Sequence, residues 1–394
     1  MFSRRTGWNL APTPFARAIE EHRRSGRELL DLSESNPTRV GLTYAGSEIL
    51  TAIADRRALD YAPDPQGLVA ARQAVAAYYV EHLPAGSAIS SDNIFLTTST
   101  SEAYSFIFRL LCDPGDEVLV PVPSYPLFEF LAALQDVELR TYPLLYDHGW
   151  HIDLHSLRSA ITSRTRAVLV VNPNNPTGSY IHDSELAQLN EICVTHSLAL
   201  VSDEVFLDYK HFSAITSHTL AANPGALTFT LSGISKICAL PQMKLAWAVL
   251  SGPPALVETA RKRLEVVSDT FLSMNAPIQW ATPFLLEQRR SVRDQLLARI
   301  HQNLMELDQQ LAAQNLCSRL ESEAGWYAVL RVPATGSDEE LAVNLLQECA
   351  VLVHPGHFYG FASDGFLVLS LIPRSELFCE GVKRQLRQVR VYSK

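Results

Sequence analysis

Short apolar runs alternate along the chain with longer stretches whose apolar residues recur about every 3.6 positions, and this alternation predicts an α/β protein. The runs are 117–122 (EVLVPV), 166–172 (RAVLVVN), 198–204 (LALVSDE), 227–231 (LTFTL) and 245–250 (LAWAVL). They are β-branched and apolar on both faces, as strands buried in a mostly parallel central sheet flanked by helices should be. The stretch 183–196 (DSELAQLNEICVTH) has the spacing of one covering helix. Near 285 the texture turns charged and leucine-rich (EQRRSVRDQLLARIHQNLMELDQQL), which predicts a helix of roughly 25 residues bridging two domains. After it, 326–332 (WYAVLRV), a helix near 337–349 and 366–372 (FLVLSLI) predict a smaller α+β domain, with the N-terminal residues packed against it. The expected division is a large domain over 46–285 and a small one made of 1–45 and 286–394.

Ligands of an open parallel sheet gather beyond the carboxyl ends of its strands, so the residues just after each run carry the candidate chemistry. Four such ends are polar: PSYP after 122, NPNNPTG from 172, Asp203-Glu204 after LALVS, and SGISK after LTFTL. Each has a plain structural reading: a tight turn for NPNNPTG, a helix N-cap for Asp203, core packing for Tyr125, a solvated loop position for Lys236. Together they bring an acid, an amide, an aromatic and a lysine to one sheet edge. That set suits an enzyme whose lysine attacks a carbonyl, because partial burial beside other cations lowers the amine's pKa toward neutrality. Spacing alone names no cofactor.

Composition narrows the partners. A formal charge of -9, with 47% hydrophobic and 19% charged residues, fits a globular protein and argues against nucleic acid or a membrane surface as the main partner. The six cysteines are scattered with no metal-binding or redox spacing, which points to free thiols, no metal and a cytoplasmic setting. The N-terminus has two arginines but no following apolar run, so it reads as part of the mature fold.

From about Leu30 to Arg374 the sequence resembles the class I/II aminotransferases, a fold-type I pyridoxal-phosphate family. The likeness rests on motifs in the family's order: 61–67 (YAPDPQG), 114–126 (PGDEVLVPVPSYP), 172–178 (NPNNPTG), 203–206 (DEVF), 232–236 (SGISK), 275–279 (NAPIQ), 325–327 (GWY) and 355–360 (PGHFYG). TLSGISK is closest to the alanine/aspartate branch. The resemblance implies pyridoxal 5′-phosphate as cofactor and amino-group transfer between an amino acid and a 2-oxo acid. It makes Lys236 the Schiff-base lysine and proton shuttle, and Asp203 the partner of the pyridine nitrogen. Asn175 would donate to the ring's phenolic oxygen and help hold substrate, and Tyr125 would stack on the ring. Thr98-Ser99-Thr100-Ser101, just before EAYSFIFRLL, would cradle the phosphate at a helix N-terminus, with Thr100 and Ser101 as donors and Ser235 and Lys244 closing the cup. The same residues also read as a plain Ser/Thr N-cap. Tyr61 matches a tyrosine that reaches the neighbouring subunit's phosphate, which implies a homodimer with shared sites.

Three departures qualify the likeness. Lys244 replaces the usual arginine and holds phosphate as a point charge. Phe206 replaces a tyrosine that donates to the ring oxygen, so the bound cofactor is expected to titrate at higher pH. The carboxylate-binding arginine is missing from 366–372, where Leu367 and Val368 stand. Arg374 is the first candidate in its place, ahead of Arg39 and His357, with a plain surface position as its other reading, and Asn36 in the N-terminal loop either hydrogen-bonds substrate or shapes the turn before Pro37. The missing arginine leaves a decarboxylase, lyase or cyclase on the same cofactor as the alternative reading. A cofactor-free Ser-Lys hydrolase through Ser235 and Lys236, and a regulatory module of the same fold, are two others.

Overall fold

The computed structural model describes residues 1–84, 86–212, 219–272 and 274–392. An eight-stranded sheet lies at its centre: β1 (Ile94–Thr97), β2 (Glu117–Val122), β3 (Glu138–Tyr146), β4 (Trp150–Ile152), β5 (Thr165–Val171), β6 (Ala199–Asp203), β7 (Thr228–Gly233) and β8 (Ala246–Ser251), in the order β1-β8-β7-β6-β5-β2-β3-β4. The run β3, β2, β5, β6, β7 is parallel. Each crossover there is long enough to carry covering structure back over the sheet, as parallel pairing demands, and the helix Asp183–His196 does so between β5 and β6.

β8 corrects one expectation. The run 245–250 was expected to be parallel like its neighbours, but β8 pairs antiparallel with both β7 and β1. Residues 234–245 between β7 and β8 hold only the single turn Ile234–Ile237 and the 3-10 turn Pro241–Met243, with no helix long enough to span the sheet, and the chain turns back on itself. That turn carries Lys236. Sequence patterning also passed over β1, β3 and β4: β1 has four residues, and β3 at the sheet margin is partly exposed, so neither presents a long apolar run.

The bridging helix is longer than expected, at 37 residues (Ala276–Ala312). It starts inside the NAPIQ motif, where the Asn275 side chain accepts from the Ile278 N–H at 3.3 Å. Pro283 reads as a helix breaker and hides this first part. Burial of Ile278, Ala281, Leu285 and Leu286 around it offsets the lost hydrogen bond.

Beyond it a four-stranded antiparallel sheet forms from β9 (Ser318–Arg319), β10 (Tyr327–Arg331), β11 (His354–Pro355) and β12 (Phe366–Ser370), in the order β9-β10-β12-β11. The helices Asp338–Cys349 and Ser375–Tyr392 cover it. N-terminal residues Phe15, Leu30, Leu32 and Val40 share its core, and Leu30–Asp31 pairs with Val351–Leu352. All six cysteines are free. Among the described residues no helix is long and apolar enough to cross a membrane, and no group of His, Cys, Asp and Glu could hold a metal ion.

Candidate active site

The carboxyl ends of β2, β5, β6 and β7 border one cavity of about 320 Å³, and the residues that line it include Thr100, Ser101, Tyr125, Asn175, Asp203, Phe206, Ser235, Lys236 and Lys244. β7 ends at Gly233, where a Cβ would come within 2.9 Å of the Leu245 carbonyl, so only glycine lets β8 approach this closely. The single turn Ile234–Ile237 then presents Lys236. The Tyr209 hydroxyl holds its carbonyl at 2.6 Å, and its Nζ lies 4.7 Å from the Trp326 ring centre and 5.5 Å from that of Phe206. Burial pushes the ammonium down to about 8, with the Asp203 charge opposing.

The end of β6 and the residue just after it carry two acids, Asp203 and Glu204, that face different surroundings. Asp203 faces the cavity; burial pushes it up to about 6 against the pull of the Tyr104 hydroxyl, the Val205 N–H and Lys236. Glu204 turns away, where it accepts from Asn172 Nδ2 (3.3 Å), Ser202 Oγ (3.1 Å), the Thr219 hydroxyl and Leu220 N–H (2.7 Å).

The loop after β5 contrasts two neighbouring amides. Asn174 Nδ2 donates to the Pro123 carbonyl (3.0 Å) and to Thr177 Oγ1 (2.9 Å), while its oxygen accepts from Ser124 Oγ (3.0 Å). Asn175, also buried, leaves Oδ1 without a partner among the described residues. Asn175 lines the cavity, whereas the side chain of Asn174 is used up on Pro123, Ser124 and Thr177. Gly178, at φ 73°, closes the loop where a Cβ would come 2.3 Å from the Ala324 carbonyl.

Also bordering the cavity, the helix Thr100–Leu111 begins with Ser99 Oγ accepting from Glu102 N–H (3.2 Å) and Glu102 accepting from Thr98 N–H (2.7 Å). The first-turn amides of Thr100 and Ser101 have no helical acceptor, which makes this end attractive to an anion. Lys244, in a left-handed turn at φ 55°, adds a cation.

Three candidates from the sequence lie elsewhere. Tyr61 is 83% exposed and does not line the cavity. Asn36 accepts from the Thr38 N–H (3.0 Å) and hydroxyl (2.8 Å), which shapes the turn Pro37–Arg39. Arg374 is exposed, with its guanidinium packed against Gly41. In their stead Ser35 and Tyr327 line the cavity. Val368, at the position expected to hold arginine, is fully buried across from Val329 and His354. Tyr104 was missed because an aromatic in a helical apolar run reads as core. Trp326 and Tyr327 stand in the GWY motif, which carried no site assignment.

The sequence profile of the aminotransferase class I and II family matches residues 27–376. The chain belongs to that family. As an aminotransferase it is an enzyme that moves an amino group between an amino acid and a 2-oxo acid, and the hydrolase and regulatory readings give way. It is 26% identical to the glutamate-pyruvate aminotransferase AlaA of Haemophilus influenzae over 359 residues, covering 88% of this chain and 87% of that one. To the alanine aminotransferase of Mycobacterium tuberculosis it is 28% identical over 371 residues, 91% and 85% of the two chains. Among solved structures, an aspartate aminotransferase from Thermus thermophilus with maleate aligns at TM-score 0.81 with 26% identity, over 98% of this chain and 99% of that one. An alanine aminotransferase from Pyrococcus furiosus aligns at TM-score 0.88 with 21% identity, over 99% and 100%, a likeness of fold.

Proposed function

We propose that the cavity holds pyridoxal 5′-phosphate, with Lys236 as the reactive amine and Asp203, Asn175 and the Thr100–Ser101 helix end as its anchors. The observation that carries this reading is one cavity whose lining brings together Lys236, the buried acid Asp203, the amide residue Asn175 and the helix N-terminus at Thr100 and Ser101. When bound, the cofactor supplies an electron sink for the substrate's Cα and carries the amino group between the two half-reactions. The protein supplies the rest. Asp203 holds a proton at the ring nitrogen, Asn175 orients the ring, and Tyr125 covers one face. Lys236, partly neutral near pH 8, takes and returns the proton at the substrate Cα. Thr100, Ser101, Ser235 and Lys244 hold the phosphate.

With no guanidinium at position 368, Ser35, Tyr327 and Asn175 are the polar groups left to meet the substrate carboxylate, while Asn36 and Arg374 shape the loop that presents Ser35. The relatives' names point to small donors such as alanine or glutamate. Tyr61 would serve a second subunit's cavity in a homodimer, a reading supported by its exposure beside the exposed Leu59. Residues 46–285 would form the cofactor-binding domain, since every lining residue except Ser35 and Tyr327 falls in that span. Adding L-alanine or L-glutamate alone to the loaded protein should abolish the cofactor's visible absorbance and release one equivalent of the matching 2-oxo acid. Carbon dioxide release in place of oxo acid would contradict transamination and favour the decarboxylase reading.

A further inference from the structure

Tyr104 lies one turn inside the helix Thr100–Leu111 and is 1% exposed. Its hydroxyl donates to Asp203 Oδ2 at 2.9 Å, and its ring is wedged between Phe108 and Phe128, at centroid distances of 5.9 and 5.5 Å. Asp203 Oδ1 accepts from the Val205 N–H at 3.2 Å, and among the described residues its carboxylate has no further hydrogen-bond donor. The other titratable groups that bear on it are Lys236, Tyr125 and the buried Tyr79, whose hydroxyl accepts from Trp247 Nε1 at 3.0 Å. Among the described residues Tyr104 is the one titratable group that hydrogen-bonds the acid.

We infer that Tyr104 is the positioning residue for Asp203: its hydroxyl fixes the carboxylate rotamer and favours the ionised form that must face the ring nitrogen. A phenol already donating to Oδ2 stabilises the carboxylate over the acid, because a hydrogen bond to a charged acceptor is stronger than one to a neutral acceptor. The helix adds a second consequence. Its N-terminus offers Thr100 and Ser101 to the phosphate while Tyr104, one turn on, grips the acid, so one rigid element sets the spacing between the two anchors of the cofactor. The tight aromatic packing leaves the phenol little freedom to swing away.

The inference rests on the cofactor reading above, and one experiment separates the two. Wild type and Tyr104→Phe are each incubated with pyridoxal phosphate, and loading is read by visible absorbance. The half-reaction rate with L-alanine or L-glutamate is then followed against pH. Burial already raises Asp203, and loss of the donor raises it further, so the carboxylate forms only at higher pH. The variant should load fully and keep its donor KM within about twofold. Its rate should fall about tenfold on the acid side, and the acid limb should move up by about one pH unit. A wild type that takes up no cofactor sinks the cofactor reading. A wild type that loads, with a variant matching its acid limb, sinks the Tyr104 inference, as does a variant that fails to load, since the hydroxyl would then serve the helix and not the acid.

Discussion

Asn174 and Asn175 stand side by side in one buried loop, the first with every polar atom engaged and the second with an oxygen left over. Asn174 builds the loop, and Asn175 is the one of the two that lines the cavity. A related distinction applies to Phe206, 3% exposed and packed on Trp326 at 5.3 Å, at the position where the family resemblance leads one to expect a tyrosine. A phenylalanine fills the volume but offers no donor to a ring oxygen. Phe206→Tyr should therefore move the absorbance titration of the bound cofactor to lower pH by about one unit, the worth of one charge-assisted hydrogen bond. An unchanged spectrophotometric titration would show that the new hydroxyl does not reach the ring.

At the scale of elements, Glu204 ties the machinery together. Four donors converge on its carboxylate, from β6 itself, from Asn172 at the end of β5 and from Thr219 and Leu220. Asn172 in turn accepts from the Ile181 N–H at 3.0 Å, which closes the loop that carries Asn175. Glu204→Ala would strand these donors in a dry interior and should lower the unfolding free energy by about 3 kcal/mol in urea titration. A loss below about 1 kcal/mol would mean the donors find water. Little of this was legible beforehand. Asp203-Glu204 reads as a pair at a strand end, and the alternation of side chains in a strand says only that the two face apart, not what each meets. The long helix was half legible, since its charged portion has clear periodicity but its buried start carries Pro283.

At the scale of the whole molecule, the cavity draws nearly all its lining from the large sheet and completes it with Ser35 and Tyr327, which the sequence places far away in the chain. Local motifs brought the lysine, acid and amide together because each sits at the end of an apolar run, whereas the turn at Thr98–Ser101 follows the short β1 and was singled out only through the family resemblance. They ranked Arg374 as the carboxylate partner because of its charge and closeness to the vacant strand position, while the fold sets its guanidinium against Gly41. Which side chains converge from opposite ends of a chain is a property of packing, and sequence spacing does not contain it.

The claim on which all of this depends is that Lys236 bonds the cofactor. Borohydride reduction of the pyridoxal-phosphate-loaded protein, followed by peptide mass spectrometry, should fix one cofactor per chain on the peptide containing Lys236, and none in Lys236→Ala. A label on another lysine, or none on the wild type, would contradict the account.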